Sequence, residues 1–163
     1  MLEAELRDPA LLGTILEAKI PGDWPPGDYD RGAIEFLLRE TTNGGPEKQG
    51  WLSWYAIRTA VGDDPATLVG AGGYFGPPDA RGQVEIGFSI SKAWQRQGFA
   101  TELVRALLWR AAESGRVRFV RAHTLPGNAA SIAVLRSSGF EPAVPGEHDL
   151  LCFEYEIQAA RDL

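Results

Sequence analysis

Hydrophobic positions in the first 40 residues recur at helical spacing in two separate segments. The first segment follows Asp8-Pro9, a residue pair that can cap a helix and occupy its first turn. The apolar positions of the two segments are Leu11, Leu12, Ile15 and Leu16, and then Ile34, Phe36, Leu37 and Leu38. We therefore predict two helices. The turn-rich residues 21–27 between the two helices predict a loop, and this loop is a candidate for contact with the substrate.

The pattern changes to β-rich segments after residue 50. Residues 54–58, 67–75 and 84–90 are rich in apolar, aromatic and β-branched residues. The turn sequences at residues 62–65 and 76–79 separate them. Three short strands joined by turns predict an antiparallel meander.

The remaining chain alternates between the two patterns. A helix, a strand, a helix and a strand are predicted at residues 101–114, 118–125, 128–138 and 151–157. Gly115 and Gly139 follow the two helices and predict their ends. A meander followed by strand–helix–strand–helix–strand implies an α/β (α+β) fold with a mixed sheet and at least one parallel strand pair.

Composition fits one domain over residues 1–163. The 163 residues are 44% hydrophobic and 23% charged, and the net charge of −6 argues against nucleic-acid or membrane partners. One cysteine, Cys152, and two histidines exclude a disulfide framework and predict no metal site. No apolar run approaches the roughly 20 residues that span a bilayer, and residues 1–6 do not resemble a signal peptide. We expect a cytoplasmic protein.

Residues 95–101 are the most informative stretch for chemistry. They connect an apolar strand to an amphipathic helix, so backbone N–H groups and the positive end of the helix dipole meet there. Gly98 permits a backbone geometry that a side chain would block, Ala100 keeps the next turn small, and Arg96 adds a cation. The segment predicts a diphosphate cradle, and a tight turn without a ligand is the structural alternative.

Other phosphate-binding motifs do not fit. The chain has no G-x-x-x-x-G-K-[ST] sequence. Residues 70–76 are glycine-rich and follow an apolar segment, but Phe75 occupies the position of the third required glycine. Pro77 and Pro78 then follow where a helix would begin.

Two motifs together resemble the GNAT superfamily of N-acetyltransferases. Gln95-x-x-Gly98-x-Ala100 is similar to the acyl-CoA pyrophosphate signature of that family, and residues 128–140 resemble the second half of the same site. The second motif is most like the branch that includes ribosomal-protein N-terminal acetyltransferases. The resemblance implies a mostly antiparallel central sheet with a splayed parallel strand pair, flanked by helices, and acetyl-CoA as co-substrate. One departure is the absence of the usual proline before Gln95, at residues 91–94.

The resemblance also implies a set of cofactor-binding residues. In the family, the strand before the loop binds the pantetheine arm through backbone groups, and those groups stabilise the oxyanion. The residues at the matching positions are Phe88, Ser89, Ile90, Gln95, Arg96, Gln97, Gly98, Phe99, Ala100, Thr101 and Asn128. Asn128 can also serve as a helix N-cap, and the two roles are compatible.

Catalysis requires a base for the amine and an acid for the leaving thiolate. Glu85 resembles the glutamate that related enzymes use through ordered water; a solvent-facing or ion-paired carboxylate is the alternative. Ser131 is the candidate acid, although it can instead bond its own helix. Many relatives use a tyrosine, but Tyr155 is the only one after the second motif and lies in the last strand. His123 can face the cleft as a base or be structural.

The sequence thus predicts an N-acetyltransferase that moves an acetyl group to a primary amine by direct transfer in a ternary complex. The acceptor is a protein N-terminus or a small-molecule amine, such as a polyamine-like metabolite or an aminoglycoside. The alternative is a non-catalytic acyl-CoA-binding or sensor domain, and a third is a purely structural module. Homodimer formation is left open.

Overall fold

The computed structural model describes residues 1–144 and 149–158. The helices in these residues are α1 Leu2–Arg7, α2 Pro9–Leu16, α3 Arg31–Asn43, α4 Phe99–Glu113 and α5 Ala129–Ser137. The strands are β1 Ser53–Arg58, β2 Thr67–Tyr74, β3 Gln83–Ile90, β4 Phe119–Thr124, β5 Glu141–Ala143 and β6 Leu151–Glu156. Short 3-10 helices occupy Pro46–Lys48 and Lys92–Trp94. The second histidine, His148, lies outside the described residues.

The strands form a mixed sheet in the order β1-β2-β3-β4-β6-β5. The pairs β1–β2, β4–β6 and β5–β6 are antiparallel, whereas β3 and β4 are parallel. The parallel ladder joins three residue pairs and ends at Glu85 and Arg121, although β3 continues to Ile90 and β4 to Thr124. The mostly antiparallel mixed sheet with one parallel pair, flanked by helices, is confirmed.

The chain divides into two compact units. Unit 1 contains Met1–Gly73 and Phe88–Ala100, and unit 2 contains Tyr74–Gly87 and the chain from Thr101 onward. Strands β2 and β3 and helix α4 each contribute residues to both units.

A buried carboxylate organises unit 1. Glu5 is 7% exposed and accepts hydrogen bonds from Trp24 Nε1 at 2.8 Å, Tyr29 Oη at 3.0 Å and Tyr55 Oη at 2.5 Å. Three donors compensate the cost of burying this group. Burial raises the pKa of the Tyr29 and Tyr55 hydroxyls, so both stay protonated donors. Helix α1 and the loop before α3 are thereby tied to β1.

In unit 2 the alternation along β4 separates two faces. Val120, Ala122 and Thr124 are buried, whereas the residues between them are partly exposed. Helix α4 buries one apolar stripe, made of Leu103, Val104, Leu107, Leu108 and Ala111. This is the stripe that the sequence pattern predicts. Burying it is what holds an amphipathic helix on a sheet.

Local side chains explain where the helices begin and end. Asp8 accepts a hydrogen bond from Ala10 N at 2.9 Å, which caps α2 in front of Pro9. Gly115 has φ +63° and Gly139 has φ +90°, a conformation that only glycine adopts readily. The predicted start of α2 and the predicted ends after α4 and α5 are confirmed.

Two elements are additional to the predicted ones. Helix α1 has six residues and a single turn of apolar pattern, which is too short for a periodicity signal. Strand β5 has three residues with Pro142 at its centre, and it lies at the sheet edge beside β6. A proline lacks the N–H that a central strand needs, so sequence alone disfavours a strand there.

Candidate active site

The turn between Trp94 and α4 is the candidate anion-binding segment of unit 1. Arg96 has φ +61° and Gly98 has φ +90°, and α4 starts at Phe99. The backbone N–H groups of Arg96, Gln97 and Gly98 donate to no acceptor within the part of the chain that the structure describes. Left-handed residues in such a turn direct N–H groups into an anion-binding concavity. No atom lies within 4 Å of a Cβ built on Gly98, so the space beside it is open.

Two glutamine side chains stabilise this turn internally. Gln95 Nε2 donates to the Ile90 carbonyl at 2.9 Å, and Gln97 Nε2 donates to the Ala93 carbonyl at 3.1 Å. The glutamine of the signature therefore links the turn to the end of β3. Arg96 is exposed and carries the positive charge predicted beside the cradle.

Trp94 packs beside the turn, against Arg58 and Phe99. The Arg58 guanidinium lies 5.3 Å from the Trp94 ring centroid, and the Phe99 ring lies 6.0 Å away at 74°. A cation over one ring and an edge-to-face aromatic pair both hold the indole in place. Neither Arg58 nor Trp94 was predicted from the sequence as part of the site. A tryptophan directly before Gln95 was the signal that could have suggested a support.

Three of the four residues before Gln95 use their backbone N–H groups as hydrogen-bond donors. Ser91 N donates to Val69 O at 2.9 Å, Lys92 N donates to Asp23 Oδ2 at 2.9 Å, and Trp94 N donates to Ser91 O at 2.9 Å. A proline at any of these positions would remove one donor. Asp23 also attaches the predicted substrate loop, residues 21–27, to the start of the turn.

The end of β3 lies against β2 along one backbone edge, and the other backbone edge of β3 points away from β2. A Cβ on Gly70 would lie 2.6 Å from Ser89 O and would overlap Ile90, so this close approach requires glycine. The Ser91 N–H points to β2. Because backbone groups alternate along a strand, those of Phe88 and Ile90 point away from β2. The Ile90 carbonyl meets Gln95 there, and Phe88 shares that edge.

Glu85 and His123 form a hydrogen-bonded pair in unit 2. Glu85 Oε1 and His123 Nδ1 are 2.8 Å apart. Both residues were predicted from the sequence as candidate bases, but their contact was not predicted. Parallel pairing of β3 and β4, together with alternation along each strand, was the signal that places them on one face.

Charged side chains continue this face along β4 and across two further strands, β6 and β5. Arg121 is the register partner of Glu85, and its Nε donates to Glu154 Oε2 at 2.7 Å. Glu154 is the register partner of Glu141 on β5. The bond to Glu154 raises the pKa of Arg121, whereas burial raises the pKa of Cys152, as expected for an unreactive thiol. A cavity of about 620 Å³ adjoins Arg121, Glu154 and Glu141.

The second motif places its residues at the start of α5. Asn128 Oδ1 accepts a hydrogen bond from Ser131 N at 3.1 Å, which makes Asn128 the N-cap. Ser131 is partly exposed in the first turn of α5, and Thr101 is partly exposed in the first turn of α4. The Tyr155 ring lies 5.6 Å from the Phe140 ring.

Comparison with known proteins decides the family. Residues 4–141 match the profile described as an acetyltransferase (GNAT) domain. The chain belongs to the GNAT acetyltransferase family. This GNAT chain is 29% identical over 119 residues to YjdG, an uncharacterized N-acetyltransferase of Bacillus subtilis (strain 168), covering 73% of the chain and 67% of YjdG.

Solved structures share the GNAT fold. The ribosomal-protein-S18-alanine N-acetyltransferase of Escherichia coli has a TM-score of 0.55 at 18% identity, covering 77% of this chain and 80% of that one. YncA, a putative acetyltransferase of Salmonella typhimurium determined with acetyl-CoA, has a TM-score of 0.54 at 19% identity, covering 80% and 75%. Within the described part of this GNAT chain, no helix is long and apolar enough to cross a membrane.

Proposed function

We propose that this GNAT protein is an acetyl-CoA-dependent N-acetyltransferase that transfers the acetyl group directly to a primary amine in a ternary complex. The observation that carries the proposal is the turn at residues 96–98. Its backbone N–H groups have no acceptor in the described residues, and they lie directly before the first residue of α4. Backbone donors at a helix N-terminus suit the linked phosphates of CoA. We propose residues 1–163 as a single acetyltransferase domain, and the cytoplasm as its location on composition alone.

The proposed cofactor residues divide between the two units. In unit 1, the turn and Arg96 would hold the diphosphate, and the free backbone edge at Phe88 would bind the pantetheine arm and the developing oxyanion. In unit 2, Asn128 would contact the pantetheine while it caps α5. When bound, acetyl-CoA supplies an activated thioester.

The catalytic roles that we propose belong to unit 2. Glu85 takes part in removing the proton from the acceptor amine, because alkyl amines are largely protonated at neutral pH. Ser131 protonates the leaving thiolate. The observation behind both proposals is that these side chains are partly exposed at the positions that match the family motifs.

The acceptor that we favour within this proposal is a protein N-terminal amine. The support is the resemblance of residues 128–140 to the ribosomal-protein branch, together with the fold shared with the Escherichia coli S18-alanine enzyme.

An amine panel tests the function. Thiol release from acetyl-CoA is measured with an alanine-starting peptide, spermidine and an aminoglycoside, and acetylated products are identified by mass spectrometry. We expect CoA release equal to product for at least one amine, with intersecting initial-velocity lines. Tight binding of acetyl-CoA without turnover would contradict the proposal and indicate a sensor domain. Parallel lines would contradict the ternary complex.

A further inference from the structure

His123 and Glu85 face each other where the β3–β4 ladder ends. The last pair of that ladder joins Glu85 to Arg121, so His123 is the next residue of β4 on the same face. Its ring reaches the carboxylate at 2.8 Å. The side chains are 21% exposed for His123 and 39% for Glu85. The strands thus position the pair, and solvent can still reach it.

The carboxylate selects the tautomer of the imidazole. An ionised carboxylate only accepts hydrogen bonds, so the contact requires a hydrogen on His123 Nδ1. In a neutral ring the second nitrogen, Nε2, then keeps its lone pair. His123 has no hydrogen-bond partner other than Glu85 among the residues that the structure describes. Nε2 is therefore available as a proton acceptor.

We propose that His123 is a further catalytic residue, whose Nε2 takes the proton from the acceptor amine while Glu85 acts as the positioning residue for its ring. This inference rests on the proposed N-acetyl transfer and names the atom that performs its base step. The imidazolium that forms donates a hydrogen bond from Nδ1 to the Glu85 carboxylate, so the carboxylate stabilises its positive charge.

Protons and electrons balance in this step. The acceptor ammonium gives one proton to Nε2 of His123, the neutral amine nitrogen then bonds to the acetyl carbon, and this nitrogen gives its second proton to solvent. The carbon–sulfur bond breaks, and the sulfur leaves with the electron pair and takes up one proton through Ser131, which recovers it from solvent. The imidazolium then returns its proton to solvent, so the chain ends each turnover unchanged.

The other charged side chains nearby do not bond Glu85 in the described part of the chain, so the Glu85 carboxylate remains paired with His123. Among the residues that the structure describes, the other titratable or charged groups on these strands of this face are Arg121 of β4, Cys152 and Glu154 of β6 and Glu141 of β5, and Arg136 lies on α5, which contacts β4. Arg121 is bonded to Glu154 at 2.7 Å, and Arg136 is exposed. Cys152, the register partner of His123, has its pKa raised by burial and stays a neutral thiol.

The pH dependence of kcat/KM tests the pair. In His123→Asn the amide nitrogen replaces Nδ1 and still donates to Glu85, but it cannot accept a proton. We expect kcat/KM to fall about 100-fold or more and its acid limb to move to lower pH, with an unchanged KM for acetyl-CoA. Glu85→Gln should lose less kcat/KM than His123→Asn does. The double variant should lose little more kcat/KM than His123→Asn alone. Glu154→Gln removes the same charge from the same face and should leave the acid limb unchanged.

Nitrogen NMR of the two histidine rings supplies a readout independent of turnover. His148→Gln assigns the His123 signals. We expect the neutral His123 ring to carry its hydrogen on Nδ1, and to shift towards the Nε2–H form in Glu85→Gln. A ring protonated on Nε2 in the wild type would overturn the inference. So would a His123→Asn variant that turns over with the acid limb of the wild type. Absence of turnover with every amine would instead overturn the proposed function, and the base step with it.

Discussion

Gly98 and Gly115 have the same backbone requirement in different places. Both adopt positive φ, +90° and +63°, and neither has an atom within 4 Å of a built Cβ. A side chain at either position adopts a strained conformation that costs about 1–3 kcal/mol. Only Gly98 lies in the proposed diphosphate cradle. The two residues therefore separate backbone strain from ligand binding.

We expect Gly98→Val to raise the Kd for acetyl-CoA about tenfold or more, because the added side chain occupies the space beside the free N–H groups. Isothermal titration calorimetry measures the affinity. Gly115→Val is the matched control, with a similar loss of stability and an unchanged Kd. Equal affinity of Gly98→Val and the wild type would contradict the cradle.

At the scale of elements, the close contact between β2 and β3 controls where the end of β3 lies. Gly70 meets Ser89 and Ile90 directly, whereas a Cβ on Gly87 of β3 would sit 3.4 Å from the Phe75 ring, an ordinary contact. These two strand glycines therefore differ in the space available to a methyl group.

Gly70→Ala should lower the free energy of unfolding by about 1–3 kcal/mol, because the methyl group overpacks β3. It should also weaken acetyl-CoA binding, since Ser89 and Ile90 belong to the proposed pantetheine strand. Urea denaturation and calorimetry measure the two effects. Gly87→Ala is the matched strand control and should stay within about 0.5 kcal/mol of the wild type. A Gly70→Ala protein as stable as that control would show that β3 shifts freely.

At the scale of the whole molecule, buried tyrosines in both units link stability to alkaline pH. Burial raises the pKa of Tyr29, Tyr55 and Tyr74. In the unfolded chain a tyrosine ionises near pH 10. The raised pKa values therefore contribute stability that is fully present below about pH 10 and is lost above it, because the unfolded chain then binds fewer protons than the folded one.

We expect the melting temperature to be nearly level from pH 8 to 9 and to fall increasingly steeply from about pH 10. Differential scanning calorimetry across this range measures the effect. Each tyrosine contributes a slope of at most about 1.4 kcal/mol per pH unit. Tyr74→Phe removes one ionising group and should flatten the alkaline decline. An identical decline in that variant would exclude Tyr74 from the linkage.

Much of the fold follows from local pattern. The apolar stripe of α4, the cap at Asp8 and the ends at Gly115 and Gly139 were all predictable, because periodicity, capping and positive φ depend on a few neighbouring residues. The edge strand that contains Pro142 was not predictable, because this strand forms by pairing with β6 and its own sequence does not favour a strand.

The amino-acid sequence by itself determined the order of the helices and strands other than α1 and β5, the GNAT motifs and the turn around Gly98, since each depends on residues close together in the chain. Only the tertiary structure decided that His123 meets Glu85, 38 residues away, and that Arg58 lies over Trp94. Strand register makes the contact between His123 and Glu85, and a shift of one residue in either strand would turn its side chain to the opposite face of the sheet. Register depends on how the whole set of strands packs.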